Sequence, residues 1–199
     1  MEKAVGASAV ILAGGLSRRM GRDKVQLPFG AETMLSRVIR LYSGAFLSVS
    51  VSINRAGRFG LLPVRELEDR RPDEGPLAGL ETALLELTDP VIFLTAADLP
   101  LADPSIAAWL CGLGGKWDAC LLSKKEPLFG AYRRSCLPVV TELLDTKHRA
   151  MKDLLNRITC REIDPCARLL NVNQPADYQR AILQLETVRP EIVRGTPKS

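Results

Sequence analysis

The chain has 199 residues, 46% apolar and 25% charged, which suits one ordinary globular domain. Its net charge of +4 is mild, aromatic residues are only 5%, and no basic run is interleaved with them; this argues against nucleic acid as the partner and suits a small anion. No stretch approaches the ~20 apolar residues of a membrane span, so no membrane role is expected. The five cysteines, Cys111, Cys120, Cys136, Cys160 and Cys166, form no C-x-x-C pair. Reduced thiols in a cytoplasmic protein fit that pattern better than a disulfide framework or a zinc site. His148 is the single histidine, which excludes a two-histidine metal site.

In chain order, the apolar run at 8–13 predicts a first strand. A stretch rich in glycine and arginine follows, LAGGLSRRMGRDK at 12–24. Leu35, Val38, Ile39 and Tyr42 then recur at helical spacing within 33–43. The run LSVSVSI at 47–53 alternates, with Leu47, Val49, Val51 and Ile53 on one face and a serine face expected to be thinly packed. Leu77, Leu80, Leu84 and Leu87 stripe a helix over 76–87 that Pro76 would open. VIFLT at 91–95 reads as a strand covered on both faces. Asp103-Pro104 opens a helix over 104–113, a weaker strand falls at 118–122, and further helices are expected at 137–145 and 150–157. The strand–helix alternation predicts an α/β domain: an open, mostly parallel, Rossmann-like sheet with helices on both faces.

In such a sheet, ligands sit beyond the carboxyl ends of the strands. The 13–24 loop leaves one of those ends. Glycines let backbone N–H groups approach a phosphate, and arginine and lysine supply matching charge. The loop is neither G-x-G-x-x-G nor G-x-x-x-x-G-K-[ST], because Leu16 and Met20 stand where each would need glycine. A nicotinamide-dependent oxidoreductase is disfavoured on that ground.

The spacing LAGG-x3-RMG-x-DK, carried by Leu12, Ala13, Gly14, Gly15, Arg19, Met20, Gly21, Asp23 and Lys24, resembles the signature of the molybdenum cofactor nucleotidyltransferases. GPLAGL at 75–80, ADLP at 97–100, EPLFGAY at 126–132 and NVNQPADY at 171–178 resemble the guanylyltransferase branch in order, so the likeness covers residues 8–180. It implies one nucleotidyltransferase domain over 1–189; the polar segment 190–199, with two prolines, is expected to be a flexible tail. The implied reaction moves GMP from GTP to the phosphate of molybdenum-bound molybdopterin, with Mg²⁺ as cofactor and molybdoenzyme-assembly proteins as further partners. Leu12, Ala13, Gly14, Gly15, Lys24, Asn54, Asp69, Gly75, Gly79 and Asp98 would bind the nucleotide, the two later glycines by letting the backbone approach the base. Arg19 and Lys24 would hold phosphates, Asp98 at the end of the 91–95 strand would hold the metal, and Asn171 and Asn173 would meet the pterin. The family often carries N-x-N where this chain has Ser52 and Asn54, which leaves one nucleotide contact open. Two alternatives also remain open at this stage: a different phosphorylated acceptor, such as a sugar 1-phosphate, and a noncatalytic adaptor that binds GTP and the cofactor.

Overall fold

A computed structural model describes residues 3–14, 24–164, 166 and 169–187. The loop glycine Gly15, the adjacent Arg19 and the 190–199 tail lie outside the described residues.

The parallel half of the sheet is built from β1 (Ala4–Leu12), β4 (Phe46–Ile53), β5 (Arg65–Glu68) and β6 (Val91–Ala96). A short hairpin, β2 (Pro28–Phe29) with β3 (Glu32–Thr33), follows the glycine-rich loop. Completing the sheet are β7 (Ala119–Leu121), β8 (Phe129–Arg133) and β9 (Cys160–Glu162), giving the order β5-β4-β1-β6-β8-β7-β9. Only β8 runs antiparallel to its neighbours, β6 and β7. The weakly patterned 114–135 region is therefore a wide hairpin whose second strand inserts beside β6.

Helices cover both faces. On one side α1 (Met34–Ala45) and α3 (Pro104–Gly112) pack Val38, Tyr42 and Leu110 against Ile11 and Phe93. On the other, α2 (Pro76–Glu86), α4 (Leu137–Asp145) and α5 (Met151–Leu155) pack Leu80, Leu144 and Leu154 against Val10, Ile92 and Leu94. Neighbouring residues Ile92, Phe93 and Leu94 go to opposite cores, which is why β6 has no polar face. The last helix, α6 (Pro175–Thr187), closes a small third cluster through Ala181, with Phe29, Met34 and Val172.

The helix starts follow local chemistry. Thr33 Oγ1 accepts from Ser36 N at 3.1 Å, and Asp103 Oδ1 accepts from Ser105 N at 2.8 Å. Pro76 and Pro104 occupy first helical turns, where no amide donor is missed.

One expectation is corrected. The serine face of β4 is not thinly packed: Ser50 and Ser52 are each 1% exposed, whereas Leu47 at the strand's start is 69% exposed. The reason is Gly79. A Cβ there would stand 2.5 Å from Leu12 Cδ2 and 2.7 Å from Ser52 Oγ, so α2 lies directly on β1 and β4.

Candidate active site

The carboxyl ends of β5, β4, β1 and β6 form the floor of a cavity of about 540 Å³, the size of a nucleotide site. The strand ladders run on past the strand ends to shape it. Asp69 N donates to Ile53 O at 2.8 Å, Ala13 N to Ser52 O at 3.0 Å and Ala97 N to Leu12 O at 3.0 Å. Of the residues expected at the nucleotide, Leu12, Ala13, Gly14, Lys24, Asn54, Asp69, Gly75 and Asp98 line this cavity. Gly79 does not. It sits one layer behind the lining, where its missing side chain lets α2 seat on the sheet rather than meeting a base.

At the β6 end, Lys24 Nζ lies 2.6 Å from Asp98 Oδ2 and 2.9 Å from Asn173 Oδ1. Asp98 Oδ1 is buried with no hydrogen-bond partner. A buried carboxylate oxygen left without a donor is costly unless something else meets it, and a hard cation is what a bare carboxylate oxygen suits. Among the described residues no three His, Cys, Asp or Glu side chains cluster as a complete cage. A lone carboxylate oxygen of this kind would suit a magnesium ion whose other oxygens came from substrate phosphates and water. Val172 N donates to Asp98 O at 2.9 Å, which ties the NVN segment to the same strand end.

The two asparagines of that segment part company. Asn173 reaches the cavity rim through Lys24, whereas Asn171 Nδ2 turns away and donates to Glu126 Oε2 at 3.1 Å on the β7–β8 connection. His148 is exposed and pairs with Asp153 at 3.7 Å, outside the cavity lining.

At the β5 end, Asp69 is 8% exposed, and its Oδ1 accepts from Ser52 Oγ at 2.7 Å. Burial pushes its carboxyl from the ordinary 3.8 up to about 6, against the opposing pull of the Ser52 bond. The group is still ionised near pH 7 and offers acceptors only. Ser52 thus serves the floor by orienting Asp69.

Between the two ends, Asn54 packs against Gly14 so closely that a Cβ at residue 14 would overlap Asn54 Oδ1. Three contributors escape a sequence reading. Asp73 also lines the cavity and accepts from Asn54 Nδ2 at 2.8 Å. Arg58, on the β4–β5 loop, donates from Nη1 to Ala13 O at 3.1 Å. Leu128, at the start of β8's motif, forms an apolar wall. EPLFGAY contained a signal for Leu128; Arg58 and Asp73 sat in charged loops with nothing to mark them.

The model of the MobA-like NTP transferase domain family matches residues 9–162, which contain this whole floor. The chain belongs to that family. A probable molybdenum cofactor guanylyltransferase of Carboxydothermus hydrogenoformans is 33% identical over 187 residues, spanning 88% of this chain and 94% of that protein. Another, from Synechococcus elongatus, is 33% identical over 186 residues, spanning 86% and 96%. The crystal structure of molybdopterin-guanine dinucleotide biosynthesis protein A from Archaeoglobus fulgidus shares the fold, with a TM-score of 0.78, 19% identity, and coverage of 90% of this chain and 99% of that one. Membership of the MobA-like family makes the chain a nucleotidyltransferase, in keeping with a cavity at the sheet's carboxyl edge. None of the described helices is long and apolar enough to cross a membrane.

Proposed function

We propose that the protein transfers GMP from GTP to the terminal phosphate of molybdenum-bound molybdopterin and releases pyrophosphate. The observation that carries this is the polarity of the cavity: a recessed carboxylate at one end and a lysine–aspartate pair at the other, in a chain a third identical to molybdenum cofactor guanylyltransferases. Guanine presents N1–H and an amino group on one edge, and Asp69 is an ionised acceptor at the β5 end. Triphosphate would lie at the β6 end, beside Lys24.

An oxygen of the acceptor phosphate attacks the α-phosphorus of GTP. A new P–O bond forms, the bond from the α-phosphorus to the bridging oxygen breaks, and pyrophosphate departs with the electron pair. The nucleophile is already an anion near neutral pH, so no general base is required, and the exposed His148 needs no part in it. Catalysis is positioning and charge neutralisation. Asp98, with its unpartnered Oδ1, would hold Mg²⁺, whose chemistry when bound is to neutralise phosphate charge. Lys24 would exchange its contact with Asp98 for the phosphates, and Asn173 would steady it from the acceptor side.

The test is pyrophosphate release with each NTP, magnesium and molybdenum cofactor. Release that requires GTP and the cofactor together supports the reading. Turnover with a sugar 1-phosphate instead, or GTP binding with no turnover, overturns it.

A further inference from the structure

We propose that Asp73 is a positioning residue that sets the amide of Asn54, so that a carbonyl oxygen rather than an NH₂ group faces the ribose of the bound nucleotide. This rests on the nucleotidyltransferase reading of the cavity.

Three observations carry it. The first is the hydrogen bond. Asp73 Oδ1 accepts from Asn54 Nδ2 at 2.8 Å, and a carboxylate can only accept, so the amide nitrogen is held on the Asp73 side, and Oδ1 rests over Gly14 on the cavity floor with a carbonyl's lone pairs available to a ligand there. The second is backbone conformation. Asp73 has φ +62°, a left-handed conformation that costs a residue with a side chain and persists only where its surroundings impose it. Those surroundings are built: Arg70 N donates to Thr82 Oγ1 at 3.0 Å, Arg71 pairs with Glu81 at 2.9 Å, and Arg149 pairs with Glu74 at 2.9 Å. The residues around Asp73 are thus anchored to α2 and to the α4–α5 connection, and Asp73 is held over the cavity. The third is placement. Along the floor, β5 supplies Asp69, β4 and β1 supply Asn54 and Gly14, and the β6 end supplies Asp98. With a base at the first and phosphates at the last, the sugar lies at the middle pair. A carbonyl there accepts from a ribose hydroxyl.

GTP binding with magnesium, followed by calorimetry, tests this in wild type, Asp73→Gly, Asp73→Asn, Asn54→Ala and the Asn54→Ala/Asp73→Gly double variant. Glycine and asparagine both tolerate positive φ, so neither single change at 73 challenges the fold. Asp73→Gly is expected to weaken GTP binding about fivefold. Asp73→Asn keeps an acceptor and should restore most of that loss. In the Asn54→Ala background, Asp73→Gly should add nothing, because it acts only through Asn54. With 2′,3′-dideoxy-GTP the Asp73→Gly penalty should vanish. The inference is overturned by an unchanged Kd in Asp73→Gly, by Asp73→Asn as weak as Asp73→Gly, by an equal penalty without Asn54, or by a penalty that survives loss of both hydroxyls. If wild type itself binds no GTP, the proposed function fails, and that outcome is distinct from all of these.

Discussion

Replacing Asp69 with asparagine should stabilise the protein while weakening it as a guanylyltransferase. Asp69 is 8% exposed, and burial holds its carboxyl at about 6 rather than 3.8. Between those two values the folded state binds a proton that the unfolded chain does not, so stability falls as pH rises from 4 to 6 and levels off above. Two pH units at 1.36 kcal/mol each set the cost of the ionised form at about 3 kcal/mol at most, since the open cavity mouth lets some water reach the group. Asparagine carries no charge, and its Oδ1 can still accept from Ser52, whose hydroxyl now donates at 2.7 Å. Urea unfolding of both proteins at intervals from pH 4 to 8 should show Asp69→Asn level with wild type at the acid end. It should be up to about 3 kcal/mol more stable at pH 8. The same variant should bind GTP more weakly at pH 8, because an amide NH₂ can replace one carboxylate acceptor. A stability difference that does not change with pH, or a variant less stable than wild type at pH 8, would refute the reasoning that burial dominates Asp69.

Asp98→Ala should leave the fold intact and lower pyrophosphate release by roughly 1,000-fold; a wild-type rate at saturating magnesium would remove the metal assignment. Gly79→Ala should cost about 1–3 kcal/mol in denaturant unfolding, because the new methyl meets Leu12 and Ser52 on a buried face; no loss would mean that α2 can lift from the sheet freely. GTP should be preferred to CTP by tenfold or more in kcat/KM, since cytosine offers one amino donor beside an acceptor nitrogen rather than the adjacent N1–H and amino pair that a carboxylate can accept together; equal values would show that this end of the cavity does not read the base.

The parallel half of the sheet and most helices were legible because their patterning is strong. VIFLT could only be a strand between two cores, and Pro76 and Asp103-Pro104 marked helix starts to the residue. Strands β5 and β9 were not legible. Their sequences, RELE and CRE, are charged because each lies at a sheet edge with little to bury. α6 was missed although Tyr178, Ala181, Ile182 and Leu185 recur at helical spacing and pack on the third cluster; among its described side chains only Ala181 is fully buried, so the stripe is short and set among polar residues. At the site, motif residues that contribute backbone or a carboxylate were found. Side chains that act on those groups were not: Ser52 beneath Asp69, Asp73 beside Asn54 and Glu126 on Asn171 are each paired across long stretches of sequence. Gly79 was read for chemistry when its role is steric, a distinction that depends on which layer α2 rests on.

The reversed direction of β8 divides the crevice between two independent parts of the chain. A strand running against β6 begins where β6 ends, so the 122–128 connection opens at the same rim as Gly14 and Lys24. The nucleotide's floor is made wholly from the first hundred residues, while the opposite bank comes from this hairpin and the NVN segment pinned to Asp98. The banks are joined where β8 pairs with β6 and where Val172 N reaches Asp98 O, so it is the 122–128 connection, outside that ladder, that can change its sequence without disturbing strand register. Under the proposed function, a lineage could exchange one acceptor for another by rewriting that connection and the NVN segment while keeping the floor as inherited.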